Sequence, residues 1–295
     1  MRLKSSTLVF VTPALVLVFF FLLLPVGQSL VMSLFSNDGK GVFVGLKNFT
    51  NLFSDPSIFN LKNILRGHWP FGAIVNNLIW IVLHLPLSMG MGLACALILI
   101  DVPKITFVRS LVFIGMVVPG VIIGVVTQFM FDKSSGMVSN FFGLIGINSL
   151  YVSWFSHSNT ALLALIFTSV WMWAGYSMIV FFAALTTIPP SYVEAAIIDG
   201  ANGFQLLRYV KIPLIRRSIQ TVVVMSVIME LTSFDIVYSS TYGGPGGAST
   251  VLGLQMYLEA FKYSHFSTGT AIATLMALMA AVPIYFNVRN AVRQS

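Results

Sequence analysis

The chain has 295 residues, 57 % hydrophobic and 8 % charged, with a mean hydropathy of +0.90, a balance that excludes an ordinary soluble domain and points to a bilayer. Its formal charge of +7 does not mark a nucleic-acid binder, because the basic residues stand at the ends of apolar runs and form no stripe. The runs do not alternate apolar and polar residues, which excludes a β-barrel; they have the ~20 residues that a helix rising 1.5 Å per residue needs to cross ~30 Å of hydrocarbon.

Hydropathy predicts six spans, at 8–34, 73–100, 107–131, 160–187, 219–241 and 268–290, in one transmembrane domain over 1–295. The first follows Arg2 and Lys4; its apolar part is too long for a signal peptide and no small-x-small cleavage site follows it, so it is read as a retained span. The loop 35–72 mixes Gly, Asn, Asp and Pro, with a short amphipathic helix expected around "LKNFTNLF". In the second span Asn76 and Asn77 are placed to hydrogen-bond a neighbouring helix. His84 in the same span has either a packing or a transport role, and the lone Cys95 packs within the apolar run. The fourth span sets Trp173, Tyr176, Ser177 and Val180 on one face, deeper than an interfacial aromatic belt, as core or as substrate contact.

The segment 188–218, with "SYVEAAIIDGANGFQLLRYVKIP" inside it, is polar and broken by glycine. Pro189 and Pro190 end the fourth span. Ser191 and Glu194 have the Ser-x-x-Glu spacing of a capping box, Gly200 supplies left-handed backbone to close the short helix, and Asn202 caps a second one that Pro213 is expected to stop. Two short helices joined by a sharp bend follow, either as a plain amphipathic connector or as a lever docked to a soluble partner.

The fifth span carries two acids, Glu230 near mid-bilayer and Asp235 toward one side. Ionisable groups at such depth face a partner or a wet cavity. On a continuous helix Glu230, Phe234 and Tyr238 share one face at four-residue spacing; either that face lines a route, its carboxylate accepting from sugar hydroxyls and its rings covering the sugar, or Glu230 pairs within the bundle. No Lys or Arg lies deep in any span, which favours a neutral cargo over an anion.

An even number of spans puts both termini on one side. That side carries Arg2, Lys4, Lys104, Arg109, Arg208, Lys211, Arg216, Arg217, Arg289 and Arg293 on its shorter loops, against Lys40, Lys47, Lys62, Arg66, Lys133 and Lys262 opposite. Positive-inside therefore predicts N-in and C-in. No phosphate-binding G-x-x-x-x-G-K-[ST] occurs, and His68, His84, His157 and His265 are too scattered for a metal motif; no catalytic residue, metal site or cofactor is expected in this chain.

The run "EAAIIDGANGFQLLRYVKIPL" resembles the EAA loop of ABC-type import permeases: Glu-Ala-Ala, three residues, Gly200, nine residues, then Val210, Ile212 and Pro213, with Val210 where isoleucine is more usual. "SFDIVYSSTYGGPGGASTVLGLQMY" is similar to the segment after the fifth span in the carbohydrate-uptake group of these permeases. The resemblance implies the all-α, six-helix type I ABC importer permease fold in a cytoplasmic (inner) membrane. It also implies a second permease subunit, forming a heterodimer; two ATPase subunits that bind ATP and Mg; and an extracytoplasmic sugar-binding protein. By resemblance, Ser191, Glu194, Ala195, Ala196, Asp199, Gly200, Ala201 and Pro213 couple to the ATPase, and Gly243, Gly244, Pro245 and Thr250 approach the binding protein. Glycerol phosphate and polyamines are the alternative cargoes. The alternative class is an ion-coupled secondary transporter using Glu230, Asp235 and His84 as a proton relay.

Overall fold

The computed structural model describes residues 5–37, 41–100, 102 and 106–292; Arg2, Lys4, Lys40, Lys104 and Arg293 of the topology argument lie outside the described residues. In chain order its main helices are α1 (Phe10–Met32), α2 (Ala73–Leu99), α3 (Thr106–Val117), α4 (Gly120–Met130), α5 (Ala161–Thr186), α6 (Pro190–Ile198), α7 (Gly203–Leu214), α8 (Arg216–Leu231), α9 (Asp235–Ser240), α10 (Leu252–Tyr257) and α11 (Phe266–Val292). Among the described residues the one strand-like pairing is an isolated bridge, Phe35 to Phe43.

Among the described residues four helices, α1, α2, α5 and α11, are long and apolar enough to cross a membrane, and counting each bent helix pair as one crossing raises the number to as many as six. The expected third span is broken: α3 and α4 meet at 96°. Pro119, extended at φ −56° and ψ 135°, lacks an amide for the ladder and biases Val118 away from helical backbone. The expected fifth span is also divided. α8 stops at Leu231, residues 232–234 are not helical, and α9 begins at Asp235. Thr232 turns its hydroxyl back onto Ile228 O at 2.9 Å, an alternative to continuing the ladder, and Asp235 in the next first turn complements the dipole of α9.

The central pair is α2 and α5. Gly92 on α2 lets the backbones close, since a Cβ there would meet Ser177 Cβ at 2.5 Å and Met178 N at 2.8 Å; small residues at crossings serve this purpose in membranes. Ala96 and Ala174 continue the seam and are buried. Trp80, buried on α2, donates Nε1–H to Ser169 Oγ at 3.0 Å and packs with Leu162, Leu165, Ile236 and Leu254. A lower cluster joins Leu99, Met178, Phe181, Ile215 and Val222. By contrast α1 buries none of its apolar window and meets the rest of the chain through its later part, which packs on α11.

Two loop features follow from local chemistry. The helix expected around "LKNFTNLF" forms as Lys47–Ser54, with Leu52 buried and Asn48 Nδ2 donating to Ser33 O and Phe35 O at 2.8 Å. After α4, Asp132 Oδ1 accepts from Ser134 N at 2.9 Å and Ser135 N at 3.1 Å, while Ser153 Oγ donates to Oδ2 at 3.0 Å. These donors, the Ser134 hydroxyl foremost, hold the Asp132 carboxyl well below the usual carboxylate range. A depressed pKa stabilises the loop when ionised, so the effect is complete above pH ~4 and declines as the pH falls below it. Asp132→Ala is therefore expected to speed hydrogen exchange at the Ser134 and Ser135 amides at neutral pH, with the difference from the unsubstituted chain shrinking in acid.

Candidate functional site

The segment after α5 forms a bent pair of short helices. Pro189 is extended and Pro190 opens α6, because proline pre-sets the first helical φ and loses no bond there. The expected capping box is consequently not made: Ser191 already lies inside the first turn, and no side chain caps α6. At the other end Gly200 takes φ +81°, with Ala201 N bonded to Ala196 O at 2.9 Å and Gly200 N to Ile197 O at 3.0 Å, the paired bonds of a Schellman turn. Asn202 then caps α7 reciprocally: Gln205 N donates to Asn202 Oδ1, and Asn202 N to Gln205 Oε1, both at 2.9 Å. Pro213 does not stop this helix but sits inside it. The turns Leu206–Lys211 ahead of the proline open to π spacing, which accommodates a missing amide, and the 72° turn into α8 comes at the buried Ile215.

This pair projects an apolar face into the open. Ile198 is 85 % exposed, Phe204 70 % and Tyr209 69 %. Ser191, Glu194, Ala195, Asp199, Gly200 and Pro213 are exposed too, whereas Ala196 and Ala201 are half-buried. Ala196, Asp199, Gly200, Ala201, Gln205, Tyr209 and Val210 line a shallow concavity of about 330 Å³. Exposed apolar area with a polar rim marks an interaction surface. Ile198, Phe204 and Tyr209 were missed as site residues, although bulky apolar side chains in an otherwise polar segment are a signal for them.

The intramembrane acids take different places. Glu230, in the last turn of α8, is buried against the fully buried His84 of α2, with His84 Nδ1 in contact with Glu230 Oε1. The break at 232–234 removes it from the face that carries Phe234 and Tyr238, so the single face expected from four-residue spacing does not exist. Asp235 starts α9 and accepts from Ile236 N at 2.9 Å; it stands against Gly120, where a Cβ would collide with its carboxylate. Gly124 gives the same close approach to Ser239, and Gln128 Nε2 donates to Ser240 O, so α4 and α9 pack through Gly-x-x-x-Gly.

Phe234 and Tyr238 instead join a stripe of rings. Centroids are 5.0 Å apart for Phe234–Tyr238, 4.9 Å for Phe234–Tyr257, 5.4 Å for Tyr238–Tyr257, 5.2 Å for Tyr238–Tyr242 and 5.7 Å for Tyr257–Phe261. Tyr257 and Tyr242 were not anticipated from the sequence, because their loop folds back onto α9. Lys262 closes one end, its Nζ 3.2 Å from Tyr242 Oη and 4.9 Å from that ring; the tyrosine beside it holds the ammonium pKa above its ordinary value. Trp173 and Tyr176 form a half-buried edge-to-face pair at 5.6 Å. Ser177 is fully buried at the Gly92 crossing, so it packs between helices and does not face an open route.

The glycine-rich loop is folded on itself. Ser249 Oγ donates to Gly244 O at 2.6 Å and Thr250 Oγ1 to Gly243 O at 3.2 Å. Asn76 Nδ2 of α2 donates to Ala248 O at 3.1 Å and Thr250 O at 2.7 Å. Gly243 and Thr250 are therefore buried parts of the loop's frame, while Gly244 and Pro245 are half-buried and Gly246 is exposed. Gly246, Gly247 and Thr250 line a pocket of about 250 Å³ with Pro56, Ser57, Asn60, Pro70 and Gly72. Among the described residues no group of three His, Cys, Asp or Glu could hold a metal ion.

Residues 88–293 match the family described as binding-protein-dependent transport system inner membrane component. A probable ABC transporter permease protein of Pyrococcus horikoshii is 38 % identical over 292 residues, 98 % of this chain and 99 % of its own length. The lactose transport system permease protein of Rhizobium radiobacter is 31 % identical over 92 % of this chain and 89 % of its own, and the alpha-glucoside transport system permease protein of Rhizobium meliloti 30 % over 97 % and 82 %. In three dimensions the chain is similar, at a TM-score of 0.76 and 22 % identity over 97 % of this chain and 94 % of the other, to a chain of a bacterial ABC transporter involved in the import of the acidic polysaccharide alginate.

Proposed function

The chain belongs to the family of binding-protein-dependent transport system inner membrane components, and from that premise we propose that it is one permease subunit of an ATP-driven sugar importer, with N- and C-termini in the cytoplasm. The observation that carries this reading is the α6–Gly200–α7 element, a rigidly capped bend whose exposed apolar and acidic face suits a soluble partner. Of two ATPase subunits that hold ATP and Mg, one docks there, beside Glu194, Ala195, Asp199 and Gly200. A second, similar permease completes the membrane part. An extracytoplasmic binding protein delivers cargo against the outer loops around Gly244, Pro245 and Gly246.

Closure of the ATPase pair displaces the bent element, and alternating access follows as α8 carries that displacement inward. The stripe Phe234, Tyr238 and Tyr257 offers ring faces to the apolar side of a sugar, and the half-buried Trp173–Tyr176 pair extends the route toward the cytoplasm. A neutral mono- or oligosaccharide fits best, because no Lys or Arg lies deep within the spans to neutralise an anion. Support for a sugar also comes from the lactose and alpha-glucoside systems named among the relatives.

The test is uptake of a panel of labelled di- and oligosaccharides by cells with and without the chain. Uptake is expected to depend on the chain, stop on ATP depletion and survive a protonophore; uptake that follows the proton gradient instead would establish the secondary-transport alternative. On the accepted sugar, Tyr257→Ala is expected to raise KM by up to roughly tenfold, the worth of one good ring contact, with Tyr257→Phe near the unsubstituted value.

A further inference from the structure

Spans two and five meet at a polar patch to which the transport reading gives no task. His84 is 0 % and Glu230 3 % exposed, and they face each other. Nearby, His84 Nε2, Glu230 Oε2 and the hydroxyl of Ser226, one turn earlier on α8, make no hydrogen bond. Stability alone does not account for such a pair, because well-packed apolar replacements of buried ionic pairs are often as stable or more so.

Location is what sets it apart. Glu230 lies in the last turn of α8, immediately before the break at 232–234. Asn77, two turns from His84 on the same helix, donates Nδ2–H to Glu230 O at 2.9 Å and accepts from Leu252 N at 2.8 Å. Span two therefore grips the end of α8 twice, and through the same asparagine it also holds the first residue of α10. Beyond the break, α9 is fastened to a different element: Asp235 and Ser239 lie against Gly120 and Gly124 of α4, and Gln128 bonds Ser240 O. The two halves of span five are thus secured to spans two and three, and residues 232–234 form the joint between them. Across that joint run the ring contacts of Phe234 and Tyr238 with Tyr257, whose helix α10 goes with span two.

We infer that the His84–Glu230 pair is a latch that makes α8 and α2 move as one, so that displacement of the bent cytoplasmic element reaches the joint at 232–234 and there parts Phe234 and Tyr238 from Tyr257. Both are positioning residues and neither touches cargo. The latch rests on the permease reading, because it needs an ATPase to move the bent element.

The test uses the transporter purified from native membranes together with its ATPase partners. In a Cys95→Ala background, Thr232→Cys puts a thiol in the joint, at an exposed position, and its maleimide labelling rate is compared with and without ATP and vanadate. With the native pair the two rates are expected to differ by about fivefold or more, the lower range of site-to-site coupling. Glu230→Gln, still able to hydrogen-bond His84, is expected to keep that response. The double variant His84→Leu/Glu230→Met fills the space without a polar contact and is expected to melt no lower than the native pair, yet to lose the response. A response retained in the Leu/Met variant, lost in the Gln variant or absent with the native pair overturns the latch. Failure of any ATPase subunit to accompany the native chain overturns the permease reading itself, and the latch with it.

Discussion

Gly200→Pro is expected to strip the ATPase subunits from the permease without preventing its insertion. Gly200 sits at φ +81°, whereas proline is locked near −65°, and its N–H, which proline lacks, bonds Ile197 O at 3.0 Å. Both bonds of the Schellman turn are lost, and with them the angle between α6 and α7. Imposing strained backbone of this kind costs about 2 kcal/mol, equivalent to roughly 30-fold in affinity if it falls wholly on docking. Insertion is spared because the spans do not depend on the bend; no atom lies within 4 Å of a Cβ at this position. Co-purification in mild detergent measures the effect. Gly200→Asn provides the control, since asparagine tolerates left-handed backbone; it is expected to retain most of the ATPase. Equal retention by the proline variant would show that the bend does not govern docking.

Gly92→Leu is expected to be the most damaging single change to folding. Its Cβ would lie 2.5 Å from Ser177 Cβ, 2.8 Å from Met178 N and 3.0 Å from Ala174 O, and backbone atoms cannot swing aside as a flexible side chain does. Overpacking typically costs 1–3 kcal/mol and occasionally more; because this crossing joins the two central helices, about 3 kcal/mol or more is expected here. The readouts are the yield of monodisperse protein and the unfolding midpoint in detergent. Gly90→Leu, two residues away, adds the same side chain where nothing lies within 4 Å, and should leave both within error. Similar losses at the two positions would mean that helix crossing is not what Gly92 provides.

Much of this was legible from residue order, and the failures share a cause. Hydropathy located the four helices among the described residues that are long enough to cross a membrane, α1, α2, α5 and α11, because a bilayer demands a length that no other environment does. The Gly200 bend and the Asn202 cap were readable because their chemistry is local, confined to a few residues on either side. The breaks were averaged away by that same hydropathy: 118–120 and 232–234 are short and flanked by apolar residues, so they pass as continuous helix, although Pro119–Gly120 is a recognised punctuation. Once α8 ends at Leu231, a face drawn through Glu230, Phe234 and Tyr238 loses its geometry. Ser191 was misread for a smaller reason, since Pro190 starts the helix before the serine can cap it. The pairing of His84 with Glu230 and of Tyr257 with Phe234 depends on how distant segments fold together, which no local pattern encodes.

The breaks also have an electrical corollary. Non-helical backbone at membrane depth is tolerated only inside protein or beside water, and Thr232 at the second break is exposed. If water reaches it in the assembled importer, the low-dielectric layer would be thinned there and the resting voltage would drop mainly across the part of the protein on the α8 side. A charged cargo would do or receive electrical work there, about 2.3 kcal/mol per elementary charge per 100 mV over the full drop. An uncharged sugar would cross the same layer with no such term, leaving its accumulation independent of voltage and set by ATP alone.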